Sequence, residues 1–198
     1  MSILRGPQEW PSVLLARAGA YDPDGGLAAA EQAGAWRAWK KAAPSMSPSA
    51  IIRVVAESGL RGRGGAGYPT ADKWRAAAAA DGIRKHAVAN GYEADPGAML
   101  DRTLMETDPH AVVEGLAFAA FAIGAHEAVL AVKAGYAVAV RRLRAAIRGA
   151  EEAGYIGQDA LGAGFDEPRV PRGCHPLVFG VVMATIQFAI TIYFMQTC

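Results

Sequence analysis

Apolar and polar positions fall in several rhythms along this chain, and each rhythm predicts a different element. Residues 27–43 (LAAAEQAGAWRAWKKAA) predict a surface helix, with Ala28, Ala35, Trp36 and Trp39 available for packing. The next helix begins at Ser47-Pro48, where serine can cap the first turn and proline suits the first helical position. It carries Ile51, Ile52, Val54 and Val55 and stops at Gly59. Thr70 caps a further helix running through Ala80. Residues 86–90 (HAVAN) and 126–132 (HEAVLAV) are short apolar runs that predict buried strands. Thr107 or Asp108 caps a helix over 109–124, with Pro109 at its start and Gly124 at its end. Residues 136–153 place Val140, Leu143 and Ile147 on one helical face, with Arg141, Arg142, Arg144 and Arg148 outside it. Strand, helix, strand, helix is the order of an α/β fold, a parallel sheet with flanking helices.

The C-terminal end departs from these rhythms. The last charged residue is Arg172, and Pro176 to Met195 (PLVFGVVMATIQFAITIYFM) is a continuous uncharged run. As one helix, twenty residues would span roughly 30 Å, the thickness of a bilayer core. Arg169 and Arg172 precede it and nothing charged follows, so a membrane anchor would keep the body on the cytoplasmic side. Buried strands are the competing expectation, because eight of those twenty residues are Val, Ile or Thr. Three regions result: a helical lead-in over 1–47, an α/β domain over 48–165, and a divergent linker with a hydrophobic tail over 166–198.

Composition narrows the functional classes. Lys plus Arg is 20 and Asp plus Glu is 19, a balance that argues against a nucleic-acid binder, which needs a clustered basic surface. A 52% apolar and 20% charged chain has the means to bury a core and is not a disordered polymer. Cys174 and Cys198 are too few for a disulfide scaffold or a zinc site. Met1 to Trp10 lacks the apolar run of a secretory signal peptide.

Two loops carry the candidate chemistry. Gly62-Arg63-Gly64-Gly65-Ala66-Gly67 spells G-x-G-x-x-G, yet a helix precedes it where a dinucleotide fingerprint needs a strand. No Gly-Lys-Ser/Thr follows, so it is no Walker loop either. Close-set glycines still let backbone N–H groups converge on an anion or lie flat against a planar ring. Arg61, Arg63 and Lys73 bring positive charge, and the helix from Thr70 brings its positive dipole end. The alternative is a flexible linker loop. The second loop, Asn90-Gly91-Tyr92-Glu93-Ala94-Asp95-Pro96-Gly97, begins where the first strand ends, the edge at which α/β sheets bind ligands. Asn90 can donate and accept at a heteroaromatic ring, and Glu93 and Asp95 could hold sugar hydroxyls, against the alternative of an acidic turn. His86, His110, His126 and His175 form no catalytic spacing, and no metal set is apparent.

The string from Ser58 through Gly62–Gly67, Tyr68 and Thr70, then Lys73-Trp74, Asn90 to Arg102, Asp108-Pro109-His110 and Glu114-Gly115 resembles the flavin subunit of respiratory complex I. It is similar, too, to the diaphorase subunits of NAD-reducing hydrogenases and NAD-dependent formate dehydrogenases. The resemblance runs from about residue 14 to Phe165 and covers the N-terminal half of that family. It implies a partial FMN-binding domain in which Gly64, Gly65, Ala66 and Gly67 lie along FMN, with Gly62 and Arg63 opening the same loop. It implies Lys73 near the phosphate, Asn90 on the flavin, Glu93 and Asp95 beside it, and Tyr68 stacked on the bases of NAD(H). The implied activity is an NADH dehydrogenase, transferring hydride to flavin and electrons onward to iron–sulfur subunits or a membrane complex. A non-catalytic, membrane-tethered assembly subunit, or a gene fragment without function, is the contrasting expectation. Three departures stand out. Tyr92 and Asp95 replace family acids, and Ala76–Ala80 replace an expected aromatic. The chain leaves the family pattern near Asp166, before the segment that completes the flavin and NADH sites, which makes activity doubtful, and its two cysteines cannot hold a 4Fe–4S cluster on this chain alone.

Overall fold

The structure is a computed structural model that describes residues 13–63, 66–81, 84–95, 97–157 and 160, with the backbone of 178–184. Seven helices and three strands lie in those stretches: α1 (Gly26–Gln32), α2 (Arg37–Ala42), α3 (Pro48–Glu57), α4 (Thr70–Ala79), β1 (His86–Gly91), α5 (Leu100–Thr107), α6 (Pro109–Ile123), β2 (Glu127–Lys133), α7 (Ala137–Glu152) and β3 (Val178–Ala184). The strands form one parallel sheet in the order β1-β2-β3. His86 pairs with Glu127 and Asn90 with Ala131, while Val129 pairs with Gly180. Parallel neighbours need crossovers, and α5–α6 and α7 supply them.

Small residues make the packing close. Along β2 the pattern alternates, with Ala128, Leu130 and Val132 buried and the residues between them half-buried. α6 packs on β1 and β2, and its length is apolar nearly all round because α3, α4, α5 and α7 also pack against it. The predicted caps of α3 and α6 are in place, whereas Thr70, expected to cap α4, lies inside it. The Ser47 hydroxyl accepts from the Ala50 N–H at 3.2 Å, and the Asp108 carboxylate accepts from the Ala111 N–H at 3.1 Å. Gly59 and Gly124 end α3 and α6 with φ of +66° and +68°, a conformation glycine adopts without a Cβ penalty. Thr70 is the first residue of α4, and Pro69 precedes it as the cap.

Three expectations are corrected. The single surface helix over 27–43 is two helices, broken between Gln32 and Arg37, where Gly34 has φ +93° and Trp36 a left-handed φ of 63°. The break is built from outside: both oxygens of Glu114 on α6 accept N–H groups of Trp36 and Trp39 at the start of α2. Trp36 and Trp39, expected to be available for packing, are buried, and residues 30–43 share one apolar cluster with α6 and α7. The stretch after Asn90 is not loop up to Thr107 either, because it contains α5. Finally, the expected membrane helix over 176–195 gives way at Val178–Ala184 to β3, where β-branched residues extend the sheet beside β2 and satisfy its edge. The rest of that run lies outside the described residues. No helix among the described residues is long and apolar enough to cross a membrane.

Candidate functional site

The glycine loop is closed at its base. Arg61 and Pro69 form an antiparallel bridge, the Gly62 N–H donates to the Tyr68 carbonyl at 2.9 Å, and the Thr70 N–H donates to the Leu60 carbonyl at 3.0 Å. The Arg61 guanidinium adds a bond to the Gly67 carbonyl at 3.1 Å. Gly67 needs its glycine, having φ +59°. This neck delivers the loop to the first turn of α4 and leaves Arg63 and Ala66 exposed; Gly64 and Gly65 lie outside the described residues. Tyr68, 51% exposed, follows at once, with the Lys73 ammonium 5.9 Å from its ring centroid.

Beside Tyr68 and Lys73 opens a cavity of about 600 Å³ between α4, β1 and α6. Its walls are mostly apolar and rich in alanine, among them Ala77, Ala87 and Ala119, with Val88, Val112 and Leu116. A volume of this size is ordinary for a site holding a small molecule or cofactor. Only a few polar groups reach it. Asn90 sits at the carboxyl end of β1, where its side-chain oxygen accepts from the Tyr92 N–H at 3.0 Å. Trp74 lines the cavity, and its indole N–H is buried with no acceptor among the described residues. An unmet buried donor costs about 1–3 kcal/mol.

Glu93 and Asp95, also expected at the site, make bonds within the loop after β1. Glu93 is 7% exposed and turns its carboxylate to the first turn of α5, accepting from the Asp101 N–H at 2.8 Å and the Arg102 N–H at 3.2 Å. Burial, and then the charge of Glu93, push the Asp101 carboxyl above its ordinary value. The Asp95 carboxylate closes a turn by accepting from the Gly97 N–H at 2.9 Å. Neither lines the cavity. The structure thus brings Tyr68, Lys73 and Asn90 together and keeps Glu93 and Asp95 to one side, shaping the loop after β1.

Sequence reasoning missed two groups. Trp74 had a signal, its place directly after Lys73 in the motif, but a tryptophan at helical spacing reads first as core. Lys133, at the carboxyl end of β2, places its ammonium 5.4 Å from the Tyr92 ring centroid and 5.7 Å from that of Tyr136. Asn90 pairs with Ala131, so Lys133, two residues further on, shares the sheet face of Asn90. Only the parallel pairing puts those residues side by side.

Behind the cavity lies a buried polar network. Asp108 accepts from Arg17 Nε at 2.8 Å and from the Tyr21 hydroxyl at 2.9 Å, and His110 Nδ1 accepts from the Trp36 indole at 3.0 Å. Burial holds the His110 imidazole down at about 4, so the ring is neutral and Nε2 carries its proton. Burial, reinforced by the neighbouring Asp108 carboxylate, raises the Tyr21 hydroxyl well above the ordinary phenol range. These residues fasten the lead-in to α6 and take no part in lining the cavity.

Against known proteins, the sequence matches the Nuo51 FMN-binding domain family over residues 55–193. It is 42% identical over 167 residues to an NADH-quinone oxidoreductase subunit of Rhizobium meliloti (strain 1021), covering 83% of this chain and 40% of that protein. Identity to the corresponding NADH-quinone oxidoreductase subunit of Aquifex aeolicus (strain VF5) is 41%, over 78% of this chain and 36% of the relative. The chain therefore spans about two fifths of the length of these relatives. Among solved structures, the NAD+-reducing NiFe-hydrogenase in its H2-reduced state superposes with a TM-score of 0.54 at 30% identity, over 69% of this chain and 21% of that one.

Proposed function

This chain belongs to the Nuo51 FMN-binding domain family, and from that premise we propose that it is the FMN-holding part of an NADH-oxidising electron-transfer subunit. The observation that carries the reading is the alanine-walled cavity at the carboxyl end of β1, served by Tyr68, Lys73, Trp74 and Asn90. FMN, when bound, supplies the redox chemistry, taking a hydride from NADH and releasing electrons singly. The residues of this chain bind and orient. The flat walls receive a planar ring, and Asn90 offers donor and acceptor groups at the strand end. Lys73 holds the phosphate, the glycine loop from Gly62 to Gly67 follows the cofactor's length, and Tyr68 offers an exposed ring for the bases of NADH to stack on. Glu93 and Asp95 fix the loop beside the flavin. Electrons then leave the flavin one at a time for iron–sulfur centres of a larger electron-transfer complex.

The test is reconstitution. The full chain incubated with FMN and desalted should emerge yellow, at one flavin per chain. Lys73→Gln should weaken FMN about tenfold or more, the scale of one charged hydrogen bond, and leave riboflavin unchanged because it has no phosphate. Colourless protein after desalting, for wild type and variant alike, would sink the reading.

A further inference from the structure

We infer that the outer face of α7 is a docking surface for an acidic protein partner, gripped by Arg141, Arg144 and Arg148. These arginines follow one another at i, i+3 and i+7, so they share one face over about 10 Å of helix. The fourth arginine of the helix shows what a structural guanidinium does here. Arg142 is 20% exposed and donates to the Asp24 carboxylate at 2.5 Å and to the Glu106 carbonyl at 2.6 Å. Arg141 reaches the same Asp24 at 3.2 Å while 64% exposed. Arg144 and Arg148 are exposed, and neither side chain has an ion pair or hydrogen bond among the described residues. Like charges three and four residues apart on a helix repel, and the acids of α7, Glu151 and Glu152, come only at its end. The row therefore works against the isolated chain and is compensated where carboxylates meet it, each guanidinium being a planar fork that pairs bidentately with one. The rest of the face has the composition of a protein contact. Val138, 38% exposed, and Ala145 lie on it at helical spacing, and α7 has no lysine; arginine is enriched and lysine depleted at interfaces. Two other occupants fit less well. A helix lying on a membrane must bury its apolar face in lipid, whereas Val140, Leu143 and Ile147 are buried in the core of this chain. A second copy would bring the same arginines against themselves in a two-fold contact.

The test is a photo-crosslink in the full-length chain, with benzoylphenylalanine in place of Ala145 and, as control, of Ala56 on the exposed side of α3. In cells of the native host, the probe at 145 should link a protein at a peptide rich in Asp and Glu, identified by mass spectrometry, and the probe at 56 should not. Arg144→Glu with Arg148→Glu should reduce that crosslink about tenfold or more, because like charges then face each other. No crosslink at 145, one to a peptide without acids, or one that survives charge reversal would overturn the inference. Binding of the wild type to phosphatidylserine vesicles, lost on charge reversal and without a protein crosslink, would assign the face to lipid and overturn it as well. Arg144→Ala with Arg148→Ala should leave the urea midpoint of the purified chain unchanged or slightly raised, since repulsion is relieved. A clear fall would make these arginines structural and overturn the inference. FMN retention, measured on the same samples, reports on the proposed function separately, because this face does not line the cavity.

Discussion

Two buried regions on either side of α6 are constructed in opposite ways. Under the lead-in, Arg17, Tyr21, Trp36, Asp108, His110 and Glu114 form a network in which the polar atoms find partners between 2.8 and 3.2 Å. Along β1 the cavity is walled by alanine and aliphatic side chains, with the buried Trp74 indole N–H unmet. The contrast separates holding from receiving. A satisfied buried network fixes one arrangement of two segments, because every alternative strands a charge or a donor. A smooth apolar cleft with few, fixed polar groups has its best partner elsewhere, in whatever fills it.

Breaking the network should cost the most. Asp108→Ala strands the Arg17 guanidinium and the Tyr21 hydroxyl and uncaps α6, so urea unfolding should show a loss of about 3 kcal/mol. A loss under about 1 kcal/mol would mean the network is ornamental. Filling the cavity should do the reverse to stability. Gly115 lies on α6 facing open space, so Gly115→Leu should gain up to about 1 kcal/mol of helix stability. It should also abolish flavin retention, and retention unchanged in this variant would place the flavin elsewhere.

A pH scan sharpens the comparison further. His110 sits near 4 when folded, against 6.5 for the ordinary imidazole, because burial outweighs the attraction of Asp108 and Glu31 for a proton. Between those values the unfolded chain takes up a proton that the folded chain refuses, so stability should fall as pH drops from about 6.5 to 4. Protonation of Nδ1 would also break the Trp36 bond. His110→Gln, which can still accept from Trp36 but does not titrate, should lose less over that range; parallel decline in both proteins would assign the effect to other groups. Arg53→Ala is the smallest change. Its ion pair with Glu57 is 3.8 Å long and largely exposed, so unfolding should shift by less than about 0.5 kcal/mol.

The sequence by itself determined the strands, the caps and the family. HAVAN and HEAVLAV are apolar whatever surrounds them, and Ser47-Pro48, Asp108-Pro109, Gly59 and Gly124 act through bonds within a few residues. The glycine string, Lys73-Trp74 and Asn90 carry enough local identity to mark an FMN-binding domain before any fold is known. Tertiary structure decided what depends on distant partners. Helix 27–43 breaks because Glu114, some 75 residues away, supplies the start of α2 with its acceptors. α5 forms because the Glu93 carboxylate, several residues upstream, accepts the N–H groups of its first turn. Val178–Ala184 could suit a bilayer by hydropathy alone, and becomes a strand because β2 offers an edge to pair with. The cavity and the unmet indole of Trp74 arise only where α4, β1 and α6 meet, since emptiness between elements is a property of their packing and leaves no mark on the chain.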